Sequence, residues 1–235
     1  MSVGYFIAGT DTGVGKTSIS ALLIRHFVAA GWSTLGMKPV AAGCVWQDGV
    51  LCSDDVQQLL AASNVTVARE LVNPYALLPP IAPHIAAAQA GCVIDLDVII
   101  EAHAQLQQQA EVVIVEGVGG FCVPLNAVED TADLAQRLAL PVILVVGMRL
   151  GCLSHALLTV QAIAARGLVL AGWVANQIDP QMLEFEANVD ALKQRIPAPC
   201  IAVVAHFNET SALQETPAGH ELFAGFVSQH RQHRG

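Results

Sequence analysis

The nine residues GTDTGVGKT run from Gly9 to Thr17 and follow the apolar stretch VGYFIA. Glycines followed by Lys-Thr at the start of a helical pattern are the combination that holds phosphate groups. The glycines let main-chain N–H groups turn inward, and the helix N-terminus adds partial positive charge. In such a loop Lys16 reaches the β- and γ-phosphates and the Thr17 hydroxyl meets Mg²⁺. The standard pattern is G-x-x-x-x-G-K-[ST], which would place its first glycine at position 10; that residue is Thr10, and the glycine is Gly9. The stretch is therefore either a phosphate cradle with one extra residue or an ordinary strand–turn–helix.

Other polar residues stand where buried strands end. Glu116 closes the run EVVIVEG and precedes Gly117, Gly119 and Gly120. A carboxylate at the end of a buried strand needs a partner, either a metal ion or a backbone turn. Asp54, in LCSDDVQQLL, fits a metal ligand and equally fits a helix cap alongside Ser53. Lys38 leaves the run TLGMK just before Pro39, where it could neutralise a phosphoryl group in flight or a carboxylate-like substrate, or simply snorkel to the surface. Asn176 ends LAGWVAN, and its amide has the geometry to read an adenine edge.

The elements that must position these groups alternate along the chain. Strands are expected at 3–9, 34–40, 111–117, 141–147, 168–176 and 200–205, and helices at 17–30, 54–62, 95–109, 130–139, 153–166 and 182–195. Several strands are continuously apolar, the pattern of a parallel sheet covered on both faces. Asp95 and Asp130 read as N-caps, and Gly31 and Gly167 as helix stops. The fold expected is α/β, an open, doubly wound, mostly parallel sheet in one domain. Segment 64–93 holds Pro74, Pro79, Pro80 and Pro83 and is expected to be irregular backbone over the sheet edge. The last ten residues or so read as a flexible tail.

Bulk properties narrow the function. The 235 residues carry a net charge of −9, which argues against nucleic acid as a partner. Hydrophobic residues make up 54% of the chain, yet the longest apolar run, LALPVILVVGM, is too short for a membrane span. The amino end lacks the features of a signal peptide, and a cytoplasmic protein is expected. The six cysteines form no C-x-x-C pair and read as buried hydrophobes rather than metal ligands or disulfides.

Taken together, GTDTGVGKT, MKPVAAG (37–43), SDD (53–55), VNPYALLPPIAPHIAAAQ (72–89), VEGVGG (115–120), PVILVVGMRLGCLSHALLT (141–159) and AGWVANQI (171–178) resemble the dethiobiotin synthetase family. The family itself uses the longer phosphate loop. The resemblance implies a P-loop NTPase fold and an ATP- and Mg²⁺-dependent ring closure in biotin synthesis. Diaminononanoate takes up CO₂ as a carbamate, ATP phosphorylates it to a carbamic–phosphoric anhydride, and the second amine closes the cyclic urea.

By position the resemblance also implies roles. Lys38 and Lys16 match charge-stabilising lysines, with Lys38 the catalytic one, and Thr17, Asp54 and Glu116 match magnesium ligands. Thr12, Gly13, Val14, Gly15, Lys16, Thr17 and Ser18, with Glu116, Gly117, Val118 and Gly119, match the phosphate-contacting stretches, and Asn176 with Gln177 the adenine site. Substrate would meet Lys38 and Ala42, and the helix start Gly151, Cys152, Leu153 and Ser154 of an opposing subunit in a homodimer. Three departures from the family stand out: Ala42 replaces a usual hydroxyl, VVAHFNET (203–210) lacks a proline-containing run at 205–207, and Arg149 replaces a common lysine. The competing functions are a cobyrinate-type amide ligase and a partitioning-type ATPase switch. The latter carries a signature lysine where this chain has Asp11.

Overall fold

The structure, a computed structural model, describes residues 3–206 and 223–231. Its central sheet has six strands, β1 (Val3–Gly9), β2 (Thr34–Met37), β7 (Val112–Glu116), β8 (Val142–Met148), β9 (Leu170–Gln177) and β10 (Cys200–Val204). They lie in the order β10-β9-β8-β1-β7-β2, and every neighbouring pair is parallel. In β7 the five residues VVIVE are all buried, because alternate side chains enter different cores. Val113 and Val115 join Leu35 and Leu144 on one face, while Val112 and Ile114 join Ile7 and Ile143 on the other. Continuous apolarity in the sequence is thus a two-sided pattern of period two.

Main helices α1 (Lys16–Ala29), α2 (Asp54–Ala62), α5 (Leu96–Gln107), α6 (Thr131–Leu138), α7 (Cys152–Ala165) and α8 (Phe185–Lys193) connect or flank the strands. Asp95 caps α5 through the Asp97 N–H, and Asp130 forms a reciprocal capping box with Asp133 on α6. Because β7 and β8 lie on opposite sides of β1, the chain reverses direction across the sheet there. Ligands in open α/β sheets bind beyond the carboxyl ends of strands at such a point.

Two expectations are corrected. The expected strand 34–40 breaks at Lys38: β2 ends at Met37, and after Pro39 the chain forms β3 (Val40–Ala42) in a separate small sheet. Pro39 has no N–H for a ladder, so the break leaves Lys38 at the carboxyl edge of the main sheet. Segment 64–93 is not irregular throughout. It contains α3 (Arg69–Val72), β6 (Tyr75–Leu77), which pairs parallel to β3, and α4 (Pro83–Gln89). The Lys38 N–H donates to the Val72 carbonyl, and the buried Asn73 amide donates to the Lys38 carbonyl at 2.7 Å, so the segment satisfies the backbone that the break exposes. Pro83 stands in the first turn of α4, where no N–H is required.

A hairpin of β4 (Val45–Gln47) and β5 (Val50–Cys52) joins β3 to α2. At the other end, residues expected in a flexible tail belong to α9 (Ala224–Arg231); Phe223 and Val227 pack in the same core as Tyr5 and Phe27. Residues 232–235 lie outside the described set, as does Phe207. Among the described residues no helix is long and apolar enough to cross a membrane.

Candidate functional site

The glycine loop sits at the carboxyl end of β1. Its extra residue is absorbed as a continuation of the strand: the Thr10 N–H donates to the Val145 carbonyl at 3.0 Å, and the Thr10 hydroxyl accepts from the Gly147 N–H at 3.3 Å. Gly13 and Gly15 take positive φ angles of 72° and 84°, conformations that favour residues without a Cβ. At Gly15 a Cβ would also stand 2.2 Å from the Asn176 amide nitrogen. That amide donates to the Val14 carbonyl at 2.8 Å and holds the loop from beneath. Arg149 ties the loop's outer side through Asp11 at 2.5 Å. The Lys16 ammonium folds over the loop and donates to the carbonyls of Gly119 at 2.5 Å and Asp11 at 3.2 Å.

Beside the loop lies a buried charge cluster. Lys38 Nζ stands 2.5 Å from Glu116 Oε1 and 2.8 Å from Asp55 Oδ2, with Lys38 3% and Glu116 1% exposed. Burial alone would drive the lysine proton off; the Glu116 and Asp55 carboxylates outweigh it and raise the Lys38 pKa. Burial likewise opposes the Asp55 carboxylate, and the Lys38 ammonium beside it outweighs burial and lowers its pKa. The Thr17 hydroxyl donates to Glu116 Oε1 at 2.9 Å. Glu116 Oε2 is buried and has no hydrogen-bond partner among the described residues. Thr17, Asp55 and Glu116 thus converge as hard oxygen donors with one acceptor open, the donor chemistry that suits Mg²⁺.

Asp54 is not part of this cluster. It is exposed, whereas Asp55 lines the cavity. The physical reason is helical phase: consecutive residues of α2 project about 100° apart, so Asp55 shares a face with Gln58 and Asp54 turns outward. The sequence reading takes Asp54 from the SDD pattern, and the helical phase at the first turn, which that pattern does not carry, brings Asp55 to the cavity instead.

Loop, cluster and a proline-rich wall enclose a cavity of about 700 Å³. Of the residues expected from sequence, Thr12, Gly13, Gly15, Lys16, Thr17, Ser18, Lys38, Ala42, Glu116, Val118 and Gly119 line it. Val14 is buried under the loop, and Gly117 offers its carbonyl to Lys38 at 3.3 Å. Asn176 lies beneath the loop, and Gln177 accepts the His206 N–H at 3.2 Å; neither borders the cavity. Gly151, Cys152, Leu153 and Ser154 form the start of α7 and contribute nothing to the cavity wall. Sequence reasoning missed Asp55, Gln58, Val123 and the stretch Pro80, Ile81, Ala82 and Pro83. For the last, the signal is the density of prolines, which reads as irregular backbone over the sheet edge and in the structure forms part of the cavity wall.

Burial, with the Lys38 ammonium nearby, lowers the Lys16 pKa from its usual 10.5 to about 8. A polyphosphate in the cradle restores the charged form. Binding of ADP above pH 8 is therefore expected to take up a proton, and affinity to fall as pH rises past about 8. Calorimetry at pH 9 in buffers of different ionisation enthalpy measures this; binding without proton uptake would contradict it.

Comparison with known proteins follows this geometry. A family model described as an AAA domain matches residues 3–214. The chain is 56% identical over 206 residues to an ATP-dependent dethiobiotin synthetase of Nitrosospira multiformis, covering 88% of this chain and 89% of the relative. It is 58% identical over 202 residues to the corresponding synthetase of Aromatoleum aromaticum, covering 86% and 90%. Among solved structures, the septum site-determining protein MinD of Pyrococcus horikoshii, complexed with Mg-ADP, superimposes with a TM-score of 0.61 at 15% identity, covering 100% of this chain and 98% of that one. The MinC:MinD complex of Aquifex aeolicus gives 0.62 at 13% identity, covering 100% and 97%; both likenesses concern the fold alone. On its close relatives and on the family match across most of its length, the chain belongs to the ATP-dependent dethiobiotin synthetase family.

Proposed function

We propose that the chain converts diaminononanoate, CO₂ and ATP into dethiobiotin, ADP and phosphate. The observation that carries this reading is the single cavity in which a phosphate cradle, two ammonium groups and an apolar wall meet. Such a site lets one anionic group be phosphorylated beside an aliphatic chain, a reaction that requires no covalent attack by the protein.

In the proposed sequence one substrate amine adds to CO₂, loses a proton and becomes a carbamate. A carbamate oxygen attacks the γ-phosphorus of ATP, and ADP departs. The second amine then attacks the carbamoyl carbon and gives up a proton, the C–O bond to the departing phosphate breaks, and the cyclic urea forms. The main-chain N–H groups of the loop hold the phosphates, Lys16 screens the β- and γ-phosphates, and Lys38 faces the carbamate and the phosphoryl group in transit. Thr17, Asp55 and Glu116 would hold Mg²⁺, which supplies charge neutralisation at the phosphates when bound. Lys38 pairs with the same two carboxylates, so a metal ion held there would loosen its ion pairs and turn its ammonium toward substrate.

Asn176, beneath the loop, and Gln177, next to it on β9, would contact the adenine base. The start of α7, at Gly151, Cys152, Leu153 and Ser154, would receive the substrate carboxylate from across a homodimer, a match of anion to helix N-terminus. A cytoplasmic location accords with this chemistry.

Incubation with Mg-ATP, bicarbonate and diaminononanoate is expected to give dethiobiotin and phosphate in equal amounts; phosphate release that ignores the diamine would contradict the reading. Lys38→Ala is expected to leave ATP affinity near wild type while kcat falls roughly 10²–10³-fold. Asp55→Asn is expected to weaken Mg-ATP binding by about tenfold or more, and Asp54→Asn to change it by less than about twofold. The reverse ranking would return the metal to Asp54.

A further inference from the structure

Outside the phosphate loop, the β7 turn and the charged cluster, the cavity wall is made of Ala42, Pro80, Ile81, Ala82, Pro83 and Val123, with Gln58 as its one polar side chain. Gln58 stands one turn beyond Asp55 on the same face of α2. The adjacent Gln57 is committed, donating to Gln47 at 2.8 Å and fastening α2 to the β4–β5 hairpin. The amide of Gln58 makes no hydrogen bond to any described residue, and Ala42 offers the cavity no polar side-chain atom.

We infer that Gln58 is a specificity-determining residue whose side-chain amide hydrogen-bonds the reacting nitrogen–carbon end of the substrate. This rests on the proposed function and names a contact within it. An amide carries one acceptor and two donors without a charge. Its carbonyl accepts from an amine, and its N–H groups donate to a carbamate oxygen or to the carbonyl of a cyclic urea. A neutral group of this kind serves substrate, intermediate and product alike, whereas a fixed charge at position 58 would favour one of them. The apolar wall around it fits the aliphatic chain, so the amide adds to the carboxylate contact at the start of α7 in holding the reacting end toward Lys38. Because the nearby ion pairs of Lys38 involve Asp55 and Glu116, loss of the Gln58 amide leaves the phosphate end unchanged.

The test uses Gln58→Met, which keeps length and removes the hydrogen bonds, with Gln58→Ala as a second variant. Titration calorimetry with a non-hydrolysable ATP analogue present is expected to show diaminononanoate binding weakened about tenfold in both variants, with affinity for the analogue unchanged. In turnover, KM for the diamine is expected to rise by a similar factor while kcat stays within about threefold. Unchanged diamine affinity in both variants would overturn the inference. So would a parallel loss of nucleotide affinity, which would mark Gln58 as a support for Asp55. A wild-type protein that binds no diamine would overturn both this inference and the proposed function; wild-type binding with unaffected variants would overturn this inference alone.

Discussion

The Lys38 ammonium, buried and shared by the carboxylates of Glu116 and Asp55, is the interaction on which the rest of the site depends. A charge removed from water needs close partners, and deleting one partner of such a group typically costs about 3–5 kcal/mol. Three separate elements supply the arrangement: the break after β2 delivers the lysine, the end of β7 delivers Glu116, and the first turn of α2 delivers Asp55. Segment 64–93 then completes the backbone hydrogen bonds that the break would leave open, through Val72 and Asn73. The charges of Lys16 and Lys38 balance those of Asp55 and Glu116, so the site rests near neutrality before a triphosphate enters. In the proposed reaction the metal would offset only part of the nucleotide's charge, and the remainder would fall to the main-chain N–H groups of the loop and to Lys16.

The phosphate loop shows how one inserted residue is accommodated at the end of a strand. Thr10 extends β1 against β8, so the cradle proper begins later and keeps its approach to α1. Asn176 fixes the loop from below, and Asp11 with Arg149 fixes it from outside. Asp11 thereby has a structural partner at the position where a partitioning ATPase would carry its signature lysine. The likeness to MinD, at 15% identity, concerns the fold alone.

Much of this was legible in the sequence. The six strands could be read because a parallel sheet buries both faces and leaves continuous apolar runs, and Lys16, Thr17, Lys38 and Glu116 stood out as polar residues at the ends of such runs. What was not legible depended on phase or on long-range pairing. Asp55 rather than Asp54 follows from the first turn of α2, which two adjacent aspartates do not reveal. β3 and β6 are only three residues each and exist by pairing with one another, so neither had a local signal. Gln58 carries no pattern of its own in the sequence; only Pro80 and its neighbours, distant along the chain, make the cavity that it lines.

The central claim is that Lys38 holds the carboxylates that a divalent cation would otherwise take. Mn²⁺ binding to the nucleotide-free protein, followed through the electron spin resonance signal of the free ion, tests it most directly in wild type and Lys38→Met. With the internal ammonium gone, Asp55 and Glu116 are expected to bind Mn²⁺ about tenfold more tightly or better than in wild type. Equal affinities, or weaker binding by the variant, would contradict the account.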